Sequence, residues 1–422
     1  MNVTQLATRM RDQMGAFLGN LHGLPKVAHR FCLEALYGAT TRQSLRLSEI
    51  GRSLNEDIAL IQTEKRLSRQ ASREGLWRQV ADFVVREGAH KVRRDTLLVI
   101  DPSDLAKKYG KDMEHIARVR DGSDGGFANG YWLCQVIAVE CGGHEITPLA
   151  NRLWSQCAPE FKSENDEVLA CIDGIAAHTG TNGIWVMDRG GDRMSIYEVL
   201  LHKGWRFLVR LIGNRHLVFN GKPQLAEDLA AGCPIKHVDH VVKQRPDGTE
   251  QRIELRYGMR RVALPGFEHV PLCLVVLHGF GEKPLMILTT EPLTESRKSL
   301  SWAIEAYLTR WRIEDTLRFA KQAYAIEDIR VLGYESLRNM MAIALLAMSF
   351  AMLWLGQREK LAVIAMHAIK AGKRLLGIPD FRYYALADGL AEILGKRVAK
   401  AFTPSRSLTN DRQLDILEFS SA

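Results

Sequence analysis

A chain of 422 residues is long for one ordinary core, so two or three domains are expected. Its 46% hydrophobic and 25% charged residues exclude bulk disorder, and a net charge of +8 favours an acidic partner such as nucleic acid. The seven cysteines are odd in number, scattered and without a C-x-x-C pair, which reads as reduced core thiols of an intracellular protein.

Residues 1–94 hold 16 Lys and Arg against 9 Asp and Glu, seven of the chain's eight surplus positive charges. Leucine and isoleucine recur at helical spacing through "SLRLSEIGRSLNEDIALIQTEKRLSRQ", with Ser44 or Ser48 and Asn55 as candidate caps. Residues 1–90 are therefore expected to form a helical, basic DNA-binding domain. The N-terminus has no apolar run behind a basic start, so no secretory signal is expected and the location is taken as cytoplasmic, on the nucleoid when bound to DNA.

From "TLLVIDPSDL" (96–105) the pattern changes to short apolar runs, as buried strands read. Strands are expected at 130–140, 145–154 and 183–188, a helix over 164–180, then helix "MSIYEVLLHKG" and strand "WRFLVRLIG". The fold class is α/β. From about 214 to 290 the pattern is almost purely β, an antiparallel insertion within a unit spanning 91–330. Helices resume near 295, and 331–422 reads as a C-terminal helical region suited to dimerisation. Within it "MMAIALLAMSFAMLWL" is apolar all round but shorter than the ~20 residues that span a bilayer, so it is expected as a buried helix and no membrane is expected.

Asp101 and Asp188 each close an apolar strand, where a side chain emerges at the rim of a rigid scaffold. Two carboxylates so placed suit hard divalent cations, although a lone aspartate there is more often a turn or cap residue. In "YLTRWRIEDTLRFAK" (307–321), a continuous helix at ~100° per residue would gather Tyr307, Arg310, Glu314 and Lys321 within an arc of about 60°. Ion pairing at i,i+4 does not account for the tyrosine.

The spacing Tyr307-x2-Arg310-x3-Glu314-x6-Lys321 resembles the YREK signature of cut-and-paste bacterial insertion-sequence transposases of the DDE type. "DRGGD" (188–192) is similar to that group's second-aspartate motif, with glycine at 191 where an aromatic is common, and "VIDPSDL" is similar to its first-aspartate strand. The likeness runs from about residue 40 to about 350.

The resemblance implies a ribonuclease H-like catalytic core flanked by helical regions. It implies that Asp101, Asp188 and Glu314 bind two Mg2+ ions, with Mn2+ as a substitute, for in-line attack on phosphodiesters at transposon ends and their joining to target DNA. Asp101 would bridge both ions. Arg310, Lys321 and Tyr307 would engage the DNA backbone near the cleaved end, as would Arg189 and Arg210. The partners implied are double-stranded DNA, as terminal inverted repeats and target, and a second copy of the chain in the DNA complex. Release of the end through a hairpin needs a base stacked on an aromatic, and the sequence assigns neither Trp302 nor Trp311 to it.

Other signals carry less. His237 and His240 in "KHVDH" point to opposite faces of a strand. The Gly-rich "GGDRMS" and "DGSDGG" lack the order of a nucleotide loop. Turn chemistry accounts for Asp104 and Asp192. Two rival readings are a DNA-binding regulator that does not cleave and a nuclease of the same fold without strand transfer.

Overall fold

The computed structural model describes residues 3–107, 110–120, 125–244, 250–356, 360–363 and 383–395. The apolar runs become the centre of one sheet: β1 (Leu97–Ala106), β2 (Ala117–Arg120), β3 (Phe127–Val139), β4 (Ile146–Trp154), β5 (Ile184–Met187) and β6 (Arg206–Arg210). The central order is β4-β3-β1-β5-β6, with short β2 added beside β3. β3 is antiparallel to its neighbours, whereas β1, β5 and β6 are mutually parallel. Helices α6 (Glu164–Thr179) and α7 (Met194–His202) make the crossovers β4 to β5 and β5 to β6. This is a ribonuclease H-like core.

Residues alternate across this sheet but are apolar on both sides. Leu97, Val99, Ile184 and Val186 enter one hydrophobic cluster, and Leu98, Ile100, Trp185 and Met187 the other. A sheet covered on both faces needs strands without a polar side, which is why they read as continuous runs. α6 starts where the Ser163 side chain accepts from Asp166 N, with Glu164, Asp166 and Glu167 facing the positive end of the helix dipole.

The insertion comprises a small hairpin, β7 (His216–Phe219) and β8 (Lys222–Leu225), one short helix, α8 (Ala226–Ala231), and four antiparallel strands. These are β9 (Ile235–Gln244), β10 (Glu250–Val262), β11 (Leu272–His278) and β12 (Leu285–Thr289). Because β12 pairs with β6, they prolong the central sheet to ten strands. Where β9 shifts register on β10, a Cβ at Gly258 would collide with the Pro234 carbonyl.

The remaining helices are α1 (Val3–Gly19), α2 (Lys26–Arg42), α3 (Leu47–Leu54), α4 (Leu60–Ala71), α5 (Leu76–Ala89), α9 (Arg297–Thr309), α10 (Arg312–Ala323), α11 (Tyr334–Ser349) and α12 (Tyr383–Gly395). N-terminal and C-terminal helices share one cluster with a face of the sheet. Buried Asn339 of α11 ties them together: its side chain donates to the carbonyls of Ala71 at 2.8 Å and Arg73 at 2.7 Å and accepts from Trp77 N at 2.8 Å.

Of the expected caps, Asn55 closes α3 in the left-handed conformation, φ 47°; Ser48 lies inside α3, while Ser44 Oγ accepts from Arg46 N just ahead of it. The apolar stretch near 340 is a buried helix. Tyr334–Trp354 is long and apolar enough to cross a bilayer, and 83% of its most apolar window is enclosed by the rest of the protein. All seven cysteines are free, and Cys157 is exposed where a core thiol was expected. Residues 364–382 and 396–422 of the expected C-terminal region lie outside the described residues.

Candidate active site

The register of the parallel strands sets the two aspartates level. β1 and β5 pair Leu97 with Ile184 and Val99 with Val186, and the same offset carried two residues further brings Asp101 opposite Asp188. β5 and β6 pair Met187 with Val209, so one more step brings Arg210 level with Asp188. Adjacent strands lie about 4.8 Å apart, so groups at one level of neighbouring strands face each other. Pro102 follows immediately, past the end of β5, where β1 keeps a partner on one side only.

Asp101 is half-buried and the most strongly perturbed of the carboxylates. Burial and the repulsion of Asp188 and Glu314 push its carboxyl up to about 7, and the nearby charge of Arg310 offsets only part of this. Asp188 opens a 3-10 turn, Arg189–Gly191, and its Oδ1 accepts from Gly190 N at 2.7 Å. Gly191 has no room for a side chain: a Cβ there would lie 2.5 Å from Met187 Cβ and 2.7 Å from Met187 Sδ. The glycine that departs from the resembled motif is thus required by the packing of the turn on β5.

Glu314 comes from α10, and here one expectation needs correction. Residues 307–321 are not one helix. α9 stops at Thr309 and α10 starts at Arg312, with Arg310 and Trp311 between them. The torsions stay right-handed, but Arg310 N, Trp311 N, Ile313 N and Glu314 N donate to carbonyls three residues back. The face expected from a continuous helix survives in part. Arg310 Nη2 donates to Glu314 Oε1 at 2.8 Å, and its Cζ lies 5.8 Å from the Tyr307 ring centroid.

Tyr307 itself is 1% exposed, so it reaches the site only through Arg310. Burial works against the charge on Arg310, yet Tyr307, Asp101 and Glu314 outweigh it and hold its pKa above the usual arginine range. The Arg310 Nε is buried with no hydrogen-bond partner.

Lys321 is engaged by Glu327 Oε1 at 2.9 Å and Asp104 Oδ2 at 3.6 Å. Asp104 therefore lies within a strand and pairs across to α10, which corrects its reading as a turn residue. Asp192 does close a turn: its carboxylate takes the Arg215 Nε–H and Ile212 N, the latter at 2.9 Å. Arg189 is exposed and Arg210 half-buried, and neither has an ion-pair partner among the described residues. Trp311 is 53% exposed beside Glu314, whereas Trp302 packs against the core. His237 Nε2 donates to the Glu295 carbonyl at 2.7 Å, and its ring lies tilted against that of Tyr257, centroids 5.5 Å apart.

Sequence reasoning missed Gln135, which pairs in register with Asp101 and has a buried Oε1 without a partner, and missed Lys107 and Glu327 near Lys321. None has a local pattern that singles it out, because each acquires its neighbours through the sheet or the turn after α10.

The donor set suits a divalent cation. Asp188 and Glu314 both act on the Asp101 carboxyl, and one arginine leaves the charge of the three uncompensated. Among the described residues, no three His, Cys, Asp or Glu side chains stand close enough together to hold an ion as they are. The carboxylates act on one another at electrostatic range, not at coordinating range.

Residues 151–350 match the family model described as the transposase DDE domain, a stretch that includes Asp188 and Glu314. No curated protein matches the sequence. Among solved structures, the piggyBac transposase synaptic complex with hairpin DNA, determined by cryo-EM, superposes over 97% of this chain and 82% of its own, with a TM-score of 0.45 and 9% identity. That likeness is too distant to carry an argument about the site.

Proposed function

We propose that this protein is a DNA transposase of the DDE type, cutting phosphodiester bonds at transposon ends and joining them to target DNA. What supports the reading is that Asp188 and Glu314, each on a different element, act electrostatically on Asp101, within a chain whose residues 151–350 match a transposase domain.

Asp101, Asp188 and Glu314 are the residues that would hold divalent cations, Mg2+ or Mn2+, which supply a polarised attacking oxygen and charge stabilisation for the leaving oxygen. The chain's own part is positional. β1 and β5 fix two carboxylates by backbone register, and the tightened turn between α9 and α10 aims Glu314 at them. Arg310, desolvated and stacked on Tyr307, offers the remaining N–H groups of its fork to a phosphate at the cleaved end. Arg189 and Arg210, without carboxylate partners among the described residues, flank the same carboxylates and suit the DNA backbone. Trp311, exposed next to Glu314, is the aromatic placed to stack an extruded base should the end pass through a hairpin.

The basic helices before residue 90 would add DNA grip outside the catalytic centre, and two copies of the chain would pair the two ends. The YREK subgroup, as the resemblance suggests, is part of this proposal.

Glu314→Gln tests it. Cation-dependent cleavage of a supercoiled plasmid carrying the element's terminal repeats should disappear while binding of the repeats persists. Unchanged cleavage would sink the assignment.

A further inference from the structure

Lys321 is engaged by two carboxylates. Its Nζ sits 2.9 Å from Glu327 Oε1, in the turn after α10, and 3.6 Å from Asp104 Oδ2 on β1, and the side chain is only 20% exposed. Two carboxylate oxygens on one ammonium imitate the oxygens that a phosphodiester would offer. Beside them opens a cavity of about 660 Å³, lined in part by Lys107, Met113, Lys321 and Arg330.

The turn does not depend on these ion pairs. Lys107, buried at the end of β1, donates from Nζ to the carbonyls of Ile326 at 2.9 Å and Glu327 at 3.0 Å, with that of Ile329 at 3.5 Å. Arg46, ahead of α3, holds Asp328 Oδ2 at 2.8 Å. Both contacts persist if Lys321 turns away. Glu327, 37% exposed at the side chain, is held through its backbone carbonyl, so its carboxylate is able to swing out.

We propose that Glu327 and Asp104 serve as an internal stand-in for a DNA phosphate, occupying Lys321 until the backbone of a duplex displaces them, while Lys107 and Arg46 keep the turn seated on β1. This rests on the reading of the chain as a DNA transposase and adds a restraint on its DNA capture. Duplex that reaches Lys321 must first break two ion pairs, so weak, misplaced binding is discouraged.

The test is a double-mutant cycle on binding of a short random-sequence DNA duplex across a salt titration. Glu327→Gln, nearly isosteric, should tighten binding by about twofold to fivefold, the worth of a partly exposed ion pair. Lys321→Ala should weaken it. In the Lys321→Ala background Glu327→Gln should add nothing, because the restraint has no object. An equal gain in both backgrounds means that only general charge has changed and overturns the proposal. A duplex bound more weakly by Lys321→Ala but indifferent to Glu327→Gln overturns it alone. No duplex binding by the wild type removes the transposase reading along with it.

Discussion

Arg310 Nη2 donates to Glu314 Oε1 at 2.8 Å across the break between α9 and α10, while Tyr307, sealed in the core, lies under the guanidinium at 5.8 Å. The three residues form a line from hydrophobic interior to cleft: the tyrosine ring fixes the arginine, and the arginine fixes the carboxylate. A lysine would keep the charge but lose the fork that both stacks on a ring and bonds a carboxylate. Arg310→Lys should therefore lower the cleavage rate about 10²-fold, in the range seen when one preorganised charge-stabilising donor is removed. Thermal stability should change much less than in Arg310→Ala. Cleavage rates and melting curves of the two variants check this.

Gly191 tests the packing of the second-aspartate turn. Alanine there would push against Met187 Cβ and Sδ, which belong to β5 itself and yield little. Overpacking of this kind costs about 1–3 kcal/mol. Gly191→Ala should lower the free energy of unfolding by that amount and reduce cleavage through displacement of Asp188, with DNA binding affected far less. Equal stability of the two proteins would remove the argument.

The sheet was legible because its strands are covered on both faces. "LLVI" and "IWVM" have no polar alternation to confuse the period, and each ends on the aspartate that leaves the core. The break in 307–323 was not legible. Arg310 and Trp311 keep helical torsions and contain no glycine or proline, so nothing local marks the switch of hydrogen bonds from four residues back to three. The partners of Lys321 were hidden for a different reason. Asp104 lies 217 positions away in sequence, and Glu327 joins only through a turn that Lys107 holds in place. Side-chain pairing across such separations follows from topology and has no short-range signature.

Asp101 is held at a cost in stability. Burial and two facing carboxylates disfavour its charge in the cation-free protein. Asp101→Asn keeps the shape and removes the charge, so at pH 8 with chelator the variant should unfold about 1 kcal/mol or more above the wild type, one pKa unit being worth about 1.4 kcal/mol. Added Mg2+ should then raise the wild-type midpoint and leave that of Asp101→Asn nearly unmoved, since a ligand stabilises only the fold that binds it. Cleavage by the variant should be lost. A variant less stable than the wild type under chelation would show that Asp101 is not electrostatically strained.

Lys107 gives the fold a slope against pH of known sign. Burial drives its ammonium from the ordinary value of 10.5 down to about 7, while Glu327 and Asp328 act in the opposite sense. Below about 7 both folded and unfolded chains carry the proton, and the cost of burying the charge is present in full. Between about 7 and 10.5 the unfolded chain keeps a proton that the folded chain has released, so this residue adds stability as pH rises. Above that range both states are neutral and the gain is complete. Lys107→Met removes the titration but leaves the Ile326 and Glu327 carbonyls without their donor, which costs about 1–3 kcal/mol. The variant should therefore fall furthest behind the wild type near pH 10, and the gap should narrow toward pH 7. Denaturant unfolding of both proteins across that range, read as their difference so that other titrating groups cancel, measures it. A gap that stays constant or widens toward pH 7 would mean that Lys107 keeps its proton in the fold.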